Sequence, residues 1–179
     1  MVFGLIRNKP ADTPMAGVLP YRMNVGFVLV NPTGKVFLGK RADKSGPDDG
    51  WQLPQGGIDS GESPTEALWR ELGEEVGTTR AELVASYPRP MSYDFPDAVR
   101  AKVYDGRYRG QTQYWFLLRF VGDDGDINIH HAERGQEPEF SDYAWCAPQD
   151  VINRAVTFKK TIYENVLYYF DEYIAFRNR

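Results

Sequence analysis

Gly56-Gly57-Ile58-Asp59-Ser60-Gly61-Glu62-Ser63-Pro64-Thr65-Glu66-Ala67-Leu68-Trp69-Arg70-Glu71-Leu72-Gly73-Glu74-Glu75-Val76-Gly77 is the most informative run in this chain. Its middle reads as a helix with a marked beginning and end. Ser63 can cap, Pro64 suits the first helical position, and Glu66 can reach back to complete a capping box. Leu68, Leu72 and Val76 recur at spacing four, and Gly77 is a stop. At about 100° per residue, Glu74, Glu71 and Glu75 fall near −60°, 0° and +40° around the axis. Leu68, Leu72, Thr65, Val76 and Trp69 share the adjoining arc, so one face is buried and three carboxylates border it.

Between residues 59 and 77 there are six acids and one base, Arg70. A solvated helix face usually interleaves lysine, because like charges one turn apart repel. Here the acids also follow a glycine-rich segment, read as a loop, where backbone can approach a ligand closely. Clustered carboxylate oxygens suit hard divalent cations such as Mg²⁺, which commonly bridge to phosphate. A plain acidic surface remains the alternative for these residues taken alone.

Outward from this run the pattern is strand-rich. Asn24–Val30 reads as a strand, Asn31-Pro32-Thr33-Gly34 as a turn, and Lys35–Arg41 as the returning strand. Ala42 to Gly50 is a polar surface loop, and Glu82–Tyr87 a further strand. Pro88 to Gly110 is a long polar and aromatic connection, functional or mobile in character. Gln113–Val121 is apolar enough to be a central strand. Asp123 to Glu139 is another polar loop, and Phe140–Trp145 a strand. Ile162, Tyr163, Val166, Leu167, Phe170, Tyr173 and Ile174 form the apolar stripe of a carboxy-terminal helix. The expected fold class is α+β, an α/β/α sandwich in which a mixed β-sheet lies between helices. Residues 1–20, with Pro10, Pro14 and Pro20, read as a flexible N-terminal arm, and residues 21–179 as one domain.

Composition limits the setting. The chain has 179 residues, 42% hydrophobic and 26% charged, with one cysteine and a net charge of −4. One cysteine forms no internal disulfide, which favours a reducing, cytoplasmic location. No apolar run approaches the roughly 20 residues of a membrane span. The negative balance gives no bulk attraction to DNA, RNA or membranes, so a polyanionic ligand must be held by a few placed cations or by metal. His130 and His131 lack metal-ligand spacing and read as loop residues, and Cys146 as a buried filler.

Gly56, Glu62, Arg70, Glu71, Leu72, Glu74, Glu75 and Gly77 resemble the signature box of the Nudix hydrolases, G-x5-E-x7-R-E-U-x-E-E-x-G-U with U aliphatic. Eight positions agree; the last is Thr78 rather than an aliphatic residue. Beyond the box, Tyr21-Arg22-x-Asn24-Val25-Gly26, Trp51-Gln52-Leu53-Pro54-Gln55-Gly56-Gly57, Gln113–Leu118, Pro138-Glu139-Phe140 and Phe158-Lys159 resemble one branch. That branch comprises the bacterial RNA pyrophosphohydrolases and dinucleoside polyphosphate hydrolases.

The resemblance implies a Mg²⁺- or Mn²⁺-dependent hydrolase that removes pyrophosphate from 5′-triphosphorylated RNA. Cleavage of dinucleoside polyphosphates such as diadenosine tetraphosphate is the alternative, and a non-catalytic nucleotide- or RNA-binding module a more distant one. It implies Glu71, Glu74, Glu75, Glu139 and Gly56 as the metal site. Glu75 or Glu139 would be the general base, and Arg70, at spacing four from Glu74, is a candidate for orienting that carboxylate. It also implies Arg22, Arg41 and Lys159 as contacts to the 5′ polyphosphate, Phe158 as a stacking platform for a base, and Tyr93 at a position where relatives place a tyrosine. A core contact remains open for Phe158.

Overall fold

The computed structural model describes residues 18–42, 50–130 and 137–175. Most of the arm, residues 1–17, therefore lies outside them, as do His131 and residues 43–49 of the loop expected before Gly50.

Two long strands form the spine. β1 (Tyr21–Val30) and β7 (Gly110–Phe120) run parallel in unbroken register from Tyr21↔Gly110 to Val30↔Arg119. Around them lie β2 (Val36–Arg41), β3 (Trp51–Gln52), β4 (Gln55–Gly57), β5 (Ala81–Ser86), β6 (Met91–Asp94) and β8 (Phe140–Cys146), every other pairing being antiparallel. The result is the expected mixed sheet, with β3-β2-β1-β7-β5 as its main path.

Alternation along the spine divides the core. Val25, Phe27 and Leu29 of β1, with Phe116, Leu118 and Phe120 of β7, pack on one face against Ala67, Leu68, Leu72 and Val76. Val28, Val30, Trp115 and Leu117 point to the other face, against Val151 of α3 (Pro148–Arg154) and Ile162, Tyr163, Val166, Leu167, Phe170 and Ile174 of α4 (Lys160–Ala175). Strands covered on both faces read as near-continuous apolar runs, which is how β1 and β7 appear. The sandwich has the predicted layers.

The local differences have physical causes. Gly56 and Gly57, read as loop, are strand β4 paired with β1, because glycine carries no strand signal of its own. The long connection after Pro88 contains β6, paired with β7, and α2 (Asp97–Arg100). α3 carries no periodic signal in the sequence, being only seven residues long.

The helix of the informative run begins as expected. In α1 (Pro64–Glu71) Ser63 Oγ accepts from the Glu66 N–H at 3.2 Å, and Glu66 accepts from the Ser63 N–H at 2.8 Å. Such a cap stabilises a helix start by about 1 kcal/mol. Beyond Glu71 the backbone opens into one π-helical turn, Leu72–Val76, where the Leu72 N–H is shared between the Leu68 and Trp69 carbonyls. The angular positions assumed for Glu74 and Glu75 rest on 3.6 residues per turn and stop applying there. Trp69 and Thr65, placed on the buried arc, are exposed instead. Gly77, at φ 70°, ends the turn as expected, and the Asn128 N–H caps the Val76 carbonyl at 3.0 Å.

Candidate active site

β4, α1 and the π turn meet at the amino-terminal end of β1. They enclose a cleft of about 340 Å³ whose lining includes Arg22, Arg41, Gly56, Glu71, Glu75 and Glu139. Arg70 and Glu74 also line it.

Arg70 is its organiser. Its Nε and Nη2 donate to the two Glu62 oxygens at 2.8 and 2.9 Å, and Nη2 also donates to the Gly57 carbonyl at 2.7 Å. Its Nη1 donates to Glu71 Oε1 at 2.7 Å and Glu74 Oε2 at 2.8 Å. One planar cation thus gathers three carboxylates, the geometry in which arginine exceeds lysine. The expected orientation of Glu74 is present, and the grip on Glu62, Glu71 and the β4 backbone goes beyond it. Glu62 is the main influence holding the guanidinium in its charged form.

The glutamates are buried to different depths. Glu74 keeps a quarter of its side chain exposed, whereas Glu71 and Glu75 are buried. Burial pushes the Glu71 carboxyl up to about 7, with nearby Glu74 adding to the rise and Arg70 opposing it. Glu75 is also raised, first by burial and then by the charges of Glu71 and Glu139, although Oε2 accepts the Gln55 N–H at 2.8 Å. Concentrated, desolvated negative charge of this kind is costly without a compensating cation.

Close approach explains the paired glycines. A Cβ on Gly56 would overlap the Glu71 carboxyl group, and one on Gly57 would overlap the Arg22 guanidinium. Gly56 thus lies directly against a proposed metal-binding carboxylate.

The remaining sequence-predicted residues divide into two sets. Arg22 and Arg41 line the cleft, and Arg41 Nη1 pairs with Glu139 at 3.1 Å, bringing a predicted substrate contact against a predicted metal ligand. Lys159, Tyr93 and Phe158 are absent from that lining. Lys159 is buried and donates from Nζ to Gln52 Oε1 at 2.8 Å; its charge reaches Glu75 and opposes the rise there. Tyr93 donates to Gln111 Oε1 at 2.6 Å, and its ring lies 5.9 Å from that of half-buried Phe158. Phe158 thus rests on Tyr93, which itself packs against the core. Cys146 is buried, as expected, and His130 is exposed in a turn.

Sequence reasoning missed the amide floor. Gln113 Nε2 lies 2.7 Å from Asn24 Oδ1, 3.3 Å from Gln55 Oε1 and 3.4 Å from Gln111 Oε1, and the first and last of these bonds are buried. The available signal was Gln111 and Gln113 two apart on an apolar strand, hence on one face. Tyr104, which also lines the cleft, carried no signal within its polar connection.

Among the described residues no three His, Cys, Asp or Glu side chains stand together as a ready metal site; Arg70 holds oxygens of Glu71 and Glu74. The chemistry of the donors nevertheless fits a hard divalent cation. All are oxygen, and two are buried carboxylates lacking a full complement of positive charge.

Known proteins agree with this geometry. A family model described as the NUDIX domain matches residues 20–166. The chain is 46% identical over 149 residues to an RNA pyrophosphohydrolase of Gluconobacter oxydans (strain 621H), covering 83% of this chain and 85% of that protein. It is 40% identical over 178 residues to "Nudix hydrolase 27, chloroplastic" of Arabidopsis thaliana, covering 98% of this chain and 77% of the relative. The E. coli dihydroneopterin triphosphate pyrophosphohydrolase shares the fold, with a TM-score of 0.63 at 20% identity over 83% of this chain and 99% of that one. The chain therefore belongs to the Nudix hydrolase family, whose members cut phosphoric anhydride bonds and generally use divalent metal ions. Among the described residues no helix is long and apolar enough to cross a membrane.

Proposed function

We propose that this chain removes pyrophosphate from the 5′-triphosphorylated end of RNA. The observation that carries this reading is the 46% identity to an RNA pyrophosphohydrolase across more than four-fifths of both chains. The cleft supplies a chemistry to match, with the carboxylates of Glu71, Glu74, Glu75 and Glu139 and the cations Arg22 and Arg41 in one lining.

Glu71, Glu74, Glu75, Glu139 and the Gly56 backbone would hold Mg²⁺ or Mn²⁺. When bound, the ion neutralises phosphate oxygens and lowers the pKa of water. Arg70 fixes Glu71 and Glu74 so that their oxygens are in place before substrate arrives, which is catalytic preorganisation. Glu75 accepts the proton of the attacking water; its Oε2 is held by the Gln55 N–H, which fixes the carboxylate in the cleft. Glu139 serves as a further carboxylate steadied by Arg41. Water adds to phosphorus, the anhydride P–O bond breaks, and pyrophosphate departs from a 5′-monophosphorylated chain. Arg22 and Arg41 contact the polyphosphate, Phe158, whose ring lies beside that of Tyr93, is the candidate stacking platform for a base, and Lys159 acts through Gln52 and through its charge at Glu75.

The test compares kcat/KM for a 5′-triphosphorylated oligoribonucleotide and for diadenosine tetraphosphate, in Mg²⁺ and in Mn²⁺, with products identified. Release of pyrophosphate with at least about tenfold preference for the RNA is expected. Preference for the dinucleotide, or RNA left uncut, would overturn the reading.

A further inference from the structure

Tyr104 is held in a conformation that side-chain-bearing residues seldom adopt. It has φ 52°, Asp105 after it has φ 54°, and only then does a glycine, Gly106, follow at φ 68°. Consecutive left-handed residues persist where their surroundings over-determine them, and such strain concentrates at functional sites.

The conformation delivers the ring to Arg22. The Arg22 guanidinium carbon lies 4.6 Å from the centre of the Tyr104 ring, and Nη1 donates to the Tyr104 hydroxyl at 3.3 Å. Gln111 Nε2 donates to the same oxygen at 3.4 Å, and Phe95 stacks beside the ring at 6.2 Å. Gly57 stands so close to the guanidinium that a Cβ there would overlap it. Arg22 is thereby enclosed between the β4 backbone and an aromatic face, at the wall of the cleft that holds Glu71 and Glu74.

We propose that Tyr104 is a positioning residue for polyphosphate recognition: it pins the Arg22 guanidinium against Gly57, so that its donors are set before the phosphates arrive. This rests on the reading of the cleft as a polyphosphate site. An arginine on an open strand end loses rotamer freedom when it grips a phosphate, and one already clamped has lost that freedom beforehand. Tyr104 acts through Arg22, so its influence falls on binding and disappears when Arg22 is absent.

The experiment is a double-mutant cycle with Y104A, R22A and the combined variant, with Y104F and Y104L alongside. Two readouts are taken: KM and kcat on 5′-triphosphorylated RNA, and calorimetric affinity for inorganic pyrophosphate in Mg²⁺. Y104A is expected to raise KM about tenfold and weaken pyrophosphate binding by a similar factor, with kcat within about threefold of wild type. Y104F, which keeps the ring, stays within about threefold; Y104L, which keeps bulk against Phe95 without a ring, behaves as Y104A does. In the R22A background, removing Tyr104 adds nothing. An equal penalty with and without Arg22, or no change in either readout, overturns the proposal. If wild-type protein leaves RNA uncut, the substrate assignment fails by itself, and the pyrophosphate cycle still judges the clamp.

Discussion

Two clefts of nearly equal size open at the two ends of β1, and they differ in almost every other respect. The one beside Val30, of about 310 Å³, is lined by side chains such as Val84, Leu117, Tyr173 and Ile174. The one beside Arg22, of about 340 Å³, collects Arg22, Arg41, Arg70, Glu71, Glu75 and Glu139. Volume does not distinguish them; electrostatic demand does. The first is apolar surface left between α4 and the sheet, and nothing in it is short of a partner charge. The second buries carboxylates whose ionisation the protein opposes, an arrangement that persists when something outside the chain relieves it.

The largest test of that contrast is one substitution in each cleft. Glu75→Gln removes the proposed base while keeping shape and the contact with the Gln55 N–H, and kcat is expected to fall about 10³-fold. Tyr173→Ala opens the apolar cleft by a half-exposed ring and should leave kcat within about twofold. Steady-state kinetics on the same RNA decide; a comparable loss from Tyr173→Ala would mean that the wrong cleft has been assigned.

A second contrast lies inside the informative run itself. Gly56 and Gly73 are both glycines, yet a Cβ on Gly56 would overlap the Glu71 carboxyl group while one on Gly73 would meet nothing within 4 Å. Gly56→Ala is expected to cost about 100-fold in kcat/KM, because displacing a preorganised group by about 1 Å costs on that order. Gly73→Ala should stay within about threefold of wild type, since it meets open space. Equal effects from the two would show that the close approach at Gly56 is irrelevant to turnover.

Which parts of this were legible beforehand follows the physics of each signal. The helix start was readable because capping is local: Ser63, Pro64 and Glu66 are chemically suited to one another within four residues. β1 and β7 were readable because burial on both faces leaves an apolar run. That Glu71, Glu74 and Glu75 cluster was readable from their spacing, but their arrangement was not, since the π turn breaks the 3.6-residue arithmetic at the point where Glu74 and Glu75 leave the helix. Arg70's grip on Glu62 and the Gly57 carbonyl, and Tyr104's on Arg22, cross 8, 13 and 82 positions of sequence. Pairings at such range are made by the way helix, turn and strands pack together, and the hydrophobic periodicity does not encode them. Lys159 shows the converse: it was read as a phosphate contact, and the fold buries it against Gln52.

The smallest expected effect is thermodynamic, and it bears on whether the polar cleft is short of positive charge. Glu71 titrates at about 7 in the folded protein, against an ordinary glutamate value of 4.5, and Glu75 is raised as well, burial being the first cause for both. The folded state therefore holds protons that the unfolded state has released, so these groups weaken the fold as pH rises through roughly 5 to 8. Asp94 and Glu66 are shifted the other way, by partners Arg109 and Ser63, and their contributions are lost only as pH falls below the usual carboxylate range, outside this window. In chelator-treated protein, Tm should fall by a few degrees between pH 5.5 and pH 8, on the order of the shift that 1–2 kcal/mol produces in a chain of this size. Glu75→Gln should flatten that slope, and millimolar Mg²⁺ should restore wild-type Tm at pH 8 more than at pH 5.5, because a ligand that binds only the folded state stabilises it by mass action. The apolar cleft predicts none of this, so Tyr173→Ala should retain both the slope and its reversal by Mg²⁺. A Tm that rises with pH in the absence of metal, or one that Mg²⁺ moves equally at both pH values, would show that the buried glutamates are already balanced by the chain's own cations.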